Sequence, residues 1–223
     1  MVEFSPNGNT TWKKEHSTTV TIQIPSNKFT KAKYCWTNSM AEPANTAYVN
    51  TFSSGDTISY SEVTGTYYLW VLVETETGVI HCLRSEGFNF DNTAPTAEMK
   101  TEWTEENGAD VLKITVTAND TLSGIGDKPV KVYVKQKNNE EEFVVLEKND
   151  IALGSISTNL DKNLFYVVSC VVEDKVGNEI VKERYTGTDY IVKDGILLTE
   201  AGAHTAIGFN TTAISASTVR KSI

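Results

Sequence analysis

The sequence predicts an all-β protein: two β-sandwiches in tandem, followed by an extended C-terminal segment. Three observations predict it. Apolar and polar residues alternate with period two in short runs, as in Thr18, Val20, Ile22 and Ile24 against Thr19, Thr21 and Gln23. Such runs recur at a spacing of roughly 8–15 residues with turn residues between them. No stretch carries a helical apolar stripe, and Thr, Ser, Val, Asn and Tyr are prominent while Leu is sparse. A chain of 223 residues suits two small domains.

The first unit, residues 1–93, opens with a strand stub at Val2-Glu3-Phe4, closed by the turn Ser5-Pro6-Asn7-Gly8-Asn9. Thr18 to Ile24 is a half-buried strand. Ala32, Tyr34 and Trp36 alternate with Lys33 and Cys35. Thr66 to Thr75 is the longest strand, with Tyr67, Leu69, Val71 and Val73 on one parity and Tyr68, Trp70 and Leu72 on the other. Val79 to Arg84 follows the hairpin turn Thr75-Glu76-Thr77-Gly78. The run Phe90-Asp91-Asn92-Thr93-Ala94-Pro95-Thr96 stops a strand and stiffens the exit, so the domain boundary is expected there.

The second unit, residues 94–190, repeats the scheme. Leu112, Ile114, Val116 and Ala118 alternate with Lys113, Thr115 and Thr117, and Val130, Val132 and Val134 with Lys131, Tyr133 and Lys135. Phe143 to Leu146 and Ile151 to Ile156 are expected as shorter strands, Leu164 to Glu173 as a long one. Glu179 to Tyr185 follows the turn Asp174-Lys175-Val176-Gly177-Asn178. Residues 191–223 are rich in Gly, Ala, Ser and Thr. They are either an arm that lies on a neighbour or the opening strands of a further β domain.

Both units resemble the tandem bacterial immunoglobulin-like repeats of surface proteins and phage structural proteins. In the first, the resemblance rests on Phe4 to Asn9, on Gly65 to Val71 and on the exit Phe90 to Thr96. In the second it rests on Asp120-Thr121-Leu122-Ser123-Gly124-Ile125 and on Asp174 to Asn178. It covers roughly residues 2–190 and implies seven-strand Greek-key sandwiches without chemistry of their own. The antibody pattern of a cysteine pair flanking a core tryptophan is absent, because Cys35 stands directly beside Trp36.

Charge and side-chain chemistry narrow the function. The net charge is −9, with 6 basic against 9 acidic residues in 1–93, 11 against 18 in 94–190, and 3 against 2 in 191–223. An acidic chain without a basic patch argues against nucleic-acid binding and against adsorption to anionic lipid. No run approaches the ~20 apolar residues of a membrane span. His16, His81 and His204 fall in different segments, and no nucleophile elbow, phosphate loop or metalloprotease motif appears. Glu105-Glu106 and Glu140-Glu141-Glu142 read as solvated loop charges, so the chain is expected not to be an enzyme.

Asp91, Asn92, Asp120 and Asp174, with Asp127 and Glu173, are the calcium candidates, since calcium takes about six to eight oxygens. The alternative is that Asp and Asn simply make these turns, and no cofactor is expected. Cys35 and Cys82 point away from the core on strands flanking 66–75, too far apart for a disulfide. With Cys170 they are expected as thiols. Tyr68 and Trp70, opposite in parity to the presumed core, are candidates for a surface platform for glycan or protein, against the favoured reading of ordinary packing. Ile207, Phe209 and Ile214 are the expected apolar anchors of the C-terminal segment on a partner.

The expected function is a non-enzymatic structural and interaction protein: a phage virion component of tail, baseplate or capsid decoration, located in the virion. The absence of a signal peptide, Met1 at a domain edge and the character of 191–223 favour it. The alternative is a spacer or carbohydrate-binding adhesion region of a secreted bacterial surface protein, extracellular or at the cell surface. Expected partners are other virion or surface proteins through the C-terminal segment, with cell-surface glycans as a further class.

Overall fold

The computed structural model describes residues 2–24, 28–137 and 142–187, together with the backbone of 191–193, 196–199 and 202–205. The chain is all-β. It divides into two compact units, Met1–Thr93 with Thr121–Ser123, and Ala94–Asp120 with Gly124–Ile223.

In the first unit, β1 (Val2–Ser5), β3 (Glu15–Ile22) and β6 (Asp56–Ser61) form one antiparallel sheet in the order β1-β3-β6. The facing sheet contains β2 (Asn9–Lys13), β4 (Phe29–Thr37), β5 (Asn50–Thr51), β7 (Gly65–Thr75), β8 (Ile80–Arg84) and β9 (Phe88–Phe90). Its order is β2-β9-β7-β4-β5, with β8 also on β7. The first strand thus changes sheets. β1 pairs with β3, the chain turns at the cis Ser5–Pro6 bond and at Gly8 (φ 87°), and β2 then runs parallel to β9.

The last strand is interrupted at Ser85–Gly87, and side chains replace the missing ladder bonds there. The buried Ser85 hydroxyl accepts from the Leu69 amide (2.9 Å) and donates to the Glu86 carbonyl (2.8 Å), while Asn7 Oδ1 accepts from the Glu86 amide (2.9 Å). This satisfies backbone groups that burial would otherwise penalise.

The period-two pattern is realised in the core between these sheets. Val20, Ile22, Ile58, Leu69, Val71 and Val73 are buried there with Ala32 and Phe52. At one end Trp36 stacks on Tyr60 (centroids 5.1 Å apart, 3° between planes). The inward parity of β3 extends back to His16, which is 5% exposed, edge-on to Phe90 and bonded through Nε2 to the Asn89 carbonyl at 2.9 Å.

In the second unit, β10 (Thr96–Glu106), β11 (Ala109–Asn119) and β14 (Gly154–Asn159) form a sheet in the order β10-β11-β14. It faces β12 (Ile125–Lys137), β13 (Glu142–Ile151), β15 (Phe165–Asp174) and β16 (Glu179–Thr186) in the order β13-β12-β15-β16. Leu112, Ile114, Val116, Val130, Val132, Val134, Val168 and Cys170 fill the space between. Trp103 on β10 ties the sheets together by donating from Nε1 to Thr186 Oγ1 at 2.8 Å.

The short strand expected over Ile151–Ile156 is not one element. β13 continues to Ile151 and β14 begins at Gly154, with Asp150 (φ 55°) and Gly154 (φ 132°) in the left-handed region where the chain reverses. Beyond these elements, β17 (Ile191–Lys193), β18 (Ile196–Thr199) and β19 (Gly202–Thr205) pair as a small antiparallel sheet, and β18 comes against β16. Ile207, Phe209 and Ile214 lie outside the described residues.

Candidate functional site

The outward face of the first unit's larger sheet holds the aromatic candidates. Residues on β7 alternate, so Leu69, Val71 and Val73 enter the core while Tyr68, Trp70 and Leu72 point outward. Trp70 is nevertheless only 7% exposed, so it offers no open platform. The chain between β4 and β5 folds back over it. Tyr48, 2% exposed, packs with Trp70, Leu72 and Cys35, and Trp70 Nε1 donates to the Ser39 carbonyl at 3.3 Å. Tyr68 is half-buried beneath Arg84, whose guanidinium lies 4.9 Å from its ring centroid and 5.9 Å from that of Trp70. The aromatic pair thus belongs to a second, smaller apolar cluster capped by an arginine.

Cys35 lies opposite Trp70 and Cys82 opposite Leu72, on the two strands that flank β7, so both thiols point into this same outer cluster. Two ladder spacings, ~9.5 Å, separate the flanking strands. Cys35, Cys82 and Cys170 are free thiols. Burial pushes the Cys35 thiol up, reinforced by Cys82, and it pushes Cys82 up, reinforced by Glu42. Burial raises Cys170 as well. The Tyr48 phenol is raised by burial, with the Cys82 thiol against it, and its hydroxyl makes no well-formed hydrogen bond. All three pack in apolar clusters, and a thiol raised by burial is a poor nucleophile at neutral pH.

The carboxylate candidates fall on turns. In the first unit Asp91 is fully buried. Its Oδ1 accepts from the Thr93 amide (3.1 Å), its Oδ2 from the Ser123 amide (3.0 Å), and its own amide donates to the Lys13 carbonyl (3.0 Å). Asn92 Nδ2 donates to the Lys14 and Val63 carbonyls at 3.1 and 2.8 Å. These two residues lock the end of the sandwich.

In the second unit Asp174 closes the β15–β16 hairpin. Its Oδ1 accepts from the amides of Val176 (2.9 Å) and Asn178 (2.8 Å), and its Oδ2 from Asn178 Nδ2 (2.7 Å). Asp120 Oδ1 accepts from the Gly124 amide (2.7 Å), and the Lys175 amide donates to the Gly124 carbonyl (3.0 Å), so the two turns are stitched together. The Asp120 and Asp174 carboxylates come within 4.8 Å of each other. Their oxygens are engaged in turn geometry, which accounts for Asp and Asn at these positions. Asp127 is exposed on β12 and Glu173 pairs with Lys131 at 3.7 Å.

Among the described residues His16 serves the core and His81 is exposed on β8. Sequence parity identified the outward set Cys35, Tyr68, Trp70 and Cys82. Tyr48 and Glu42, which cover it, lie in an aperiodic stretch that carries no such signal.

No family model matches the chain, and no curated protein matches it. Among solved structures it is similar to the fibronectin(III)-like modules of Clostridium thermocellum CbhA, at 15% identity over 84% of this chain and 93% of that chain, with a TM-score of 0.31.

Proposed function

We propose that the chain is a non-catalytic structural and interaction module, a phage virion component of tail, baseplate or capsid decoration related to the bacterial immunoglobulin-like repeats. Its sandwiches are the displayed bodies and its C-terminal segment is the attachment. One observation carries this reading. The groups that could have done chemistry or gripped a ligand are occupied in holding the fold: Asp91, Asp120 and Asp174 in turns, Trp70 and both neighbouring thiols beneath Tyr48, His16 in the core. What the fold leaves available is surface and strand edge, the means by which β domains assemble.

The alternative, a spacer or carbohydrate-binding region of a bacterial surface protein, shares the sandwiches. Its sugar-binding form is weakened by the covering of Trp70. The test is where the native protein resides. Isolated from its source it is expected to sediment with particles and to be reached on their exterior by antibodies against the sandwiches. Recovery only from the cell wall or as a free secreted protein would contradict the virion reading.

A further inference from the structure

The outer face of the second unit's larger sheet is open to solvent at one end and closed from it at the other. On β15 the core takes Tyr166, Val168, Cys170 and Val172, so Phe165, Val167, Ser169 and Val171 point outward. Ser169 and Val171 are half-buried, and Val181, beside Val171 on β16, is 62% exposed. Phe165 and Val167, of the same outward parity, are only 1% and 4% exposed. Their neighbours within the sheet do not account for this. Tyr185 on β16 stacks on Phe165, with centroids 5.7 Å apart and 20° between planes, and shields one flank. On the other flank Lys135 and Lys137 of β12 carry their ammonium groups to Glu142 on β13, at 2.7 and 2.9 Å, away from β15. Two outward apolar side chains so nearly removed from water need a layer above them.

The path of the chain points to that layer. Gly187 (φ 103°) is buried just past the end of β16, and a Cβ there would collide with the Leu164 carbonyl oxygen. The chain therefore leaves β16 pressed against the start of β15, at the closed end of the face. Within the same unit the backbone of β18 then comes against β16. We infer that the β17–β19 sheet is a cover seated on this corner, over Phe165, Val167 and Tyr185. The three form a cluster of their own, separate from the core between the sheets. The sandwich is therefore expected to fold without the cover and to expose an apolar corner. This inference goes beyond the proposed function and does not depend on it. Under that reading it divides the C-terminal segment: residues 191–205 belong to their own sandwich, and 206–223 are left to meet a partner.

Thiol labelling with a maleimide, read by peptide mapping, tests the cover. In full-length protein carrying Val167→Cys, position 167 is expected to label slowly, whereas Val181→Cys on the same face labels fast. Cutting the Val167→Cys chain after Asp189 should speed labelling at position 167 roughly tenfold or more, and so should Leu197→Asp with Leu198→Asp on β18 in the full chain. Native Cys170, fully buried in the core, reports whether the sandwich itself stays closed and should remain unlabelled in both. The cut decides while Cys170 stays silent; if Cys170 reacts after the cut, the double aspartate decides. Labelling at position 167 as fast as at 181 in the full chain, or no acceleration in the deciding variant, would overturn the inference. So would Cys170 reacting in both, since the segment would then be part of the core rather than a cover over it.

Discussion

In the first sandwich the leading strand is split between sheets as β1 and β2, and the trailing strand is broken into β8 and β9 by Ser85–Gly87. In the second, β10 runs 11 residues and β16 runs 8 without interruption. The broken edge is held by particular polar side chains, Asn7, Ser85 and Asn89 among them, and β8 pairs with β7 alone among the described residues. The continuous edge carries a long ladder, with Trp103 donating across the sheets to Thr186. An irregular edge thus depends on individual polar side chains, and a continuous one on its ladder.

The largest loss is expected from truncating the two cores. Leu69→Ala in the first unit and Leu112→Ala in the second each remove a fully buried side chain and should cost about 2–5 kcal/mol. Each loss should appear in the unfolding of its own unit, followed by calorimetry and by proteolysis at 92–96. Both variants lowering one common transition equally would break the description of two separate cores.

A pair of glycine substitutions contrasts the edges. Gly8 (φ 87°) and Gly108 (φ 80°) share a left-handed backbone, for which a side chain costs about 1–2 kcal/mol. A Cβ at Gly8 would also stand 2.6 Å from Glu86 Cβ, whereas one at Gly108 meets nothing within 4 Å. Gly8→Ala should therefore destabilise by roughly twice as much as Gly108→Ala in urea unfolding. Equal losses would show that the broken edge is not tightly packed.

The smallest effect concerns the second unit's surface. Hydrogen bonds from Lys135 and Lys137 hold the Glu142 carboxyl down at about 2. A depressed carboxyl stabilises the fold above its unfolded value near 4.5, and that contribution is lost as pH falls toward about 2. The side chain is 39% exposed, so solvent screening limits the effect to ~0.5 kcal/mol. Glu142→Gln should shift the acid limb of the stability curve by no more than that. A loss above about 1 kcal/mol would give this exposed edge strand a structural weight denied it here.

The all-β fold and much of its core were legible because period two is a local signal. Val20 and Ile22, then Leu69, Val71 and Val73, then Leu112, Ile114 and Val116, and then Val130, Val132 and Val134 face inward as their parity implies. The signal failed where small or polar residues fill inward positions. In β10 the inward set is Ala97, Met99 and Trp103 with Thr101 between, too weak a stripe to distinguish a strand from a linker. For the candidate site, parity shows that Trp70 leaves the core but not that Tyr48 returns to cover it, because that contact is made by a loop 22 residues away in sequence.

The proposed function requires that the sandwiches fold by themselves and that the segment after them makes the assembly contact. Cutting the chain after Asp189 tests this most directly. The truncated protein is expected to keep the circular dichroism and the unfolding behaviour of both sandwiches, with Trp103 still bonded to Thr186, and to lose incorporation into the particle. A truncated protein that folds and is incorporated as well as the full chain would contradict the claim.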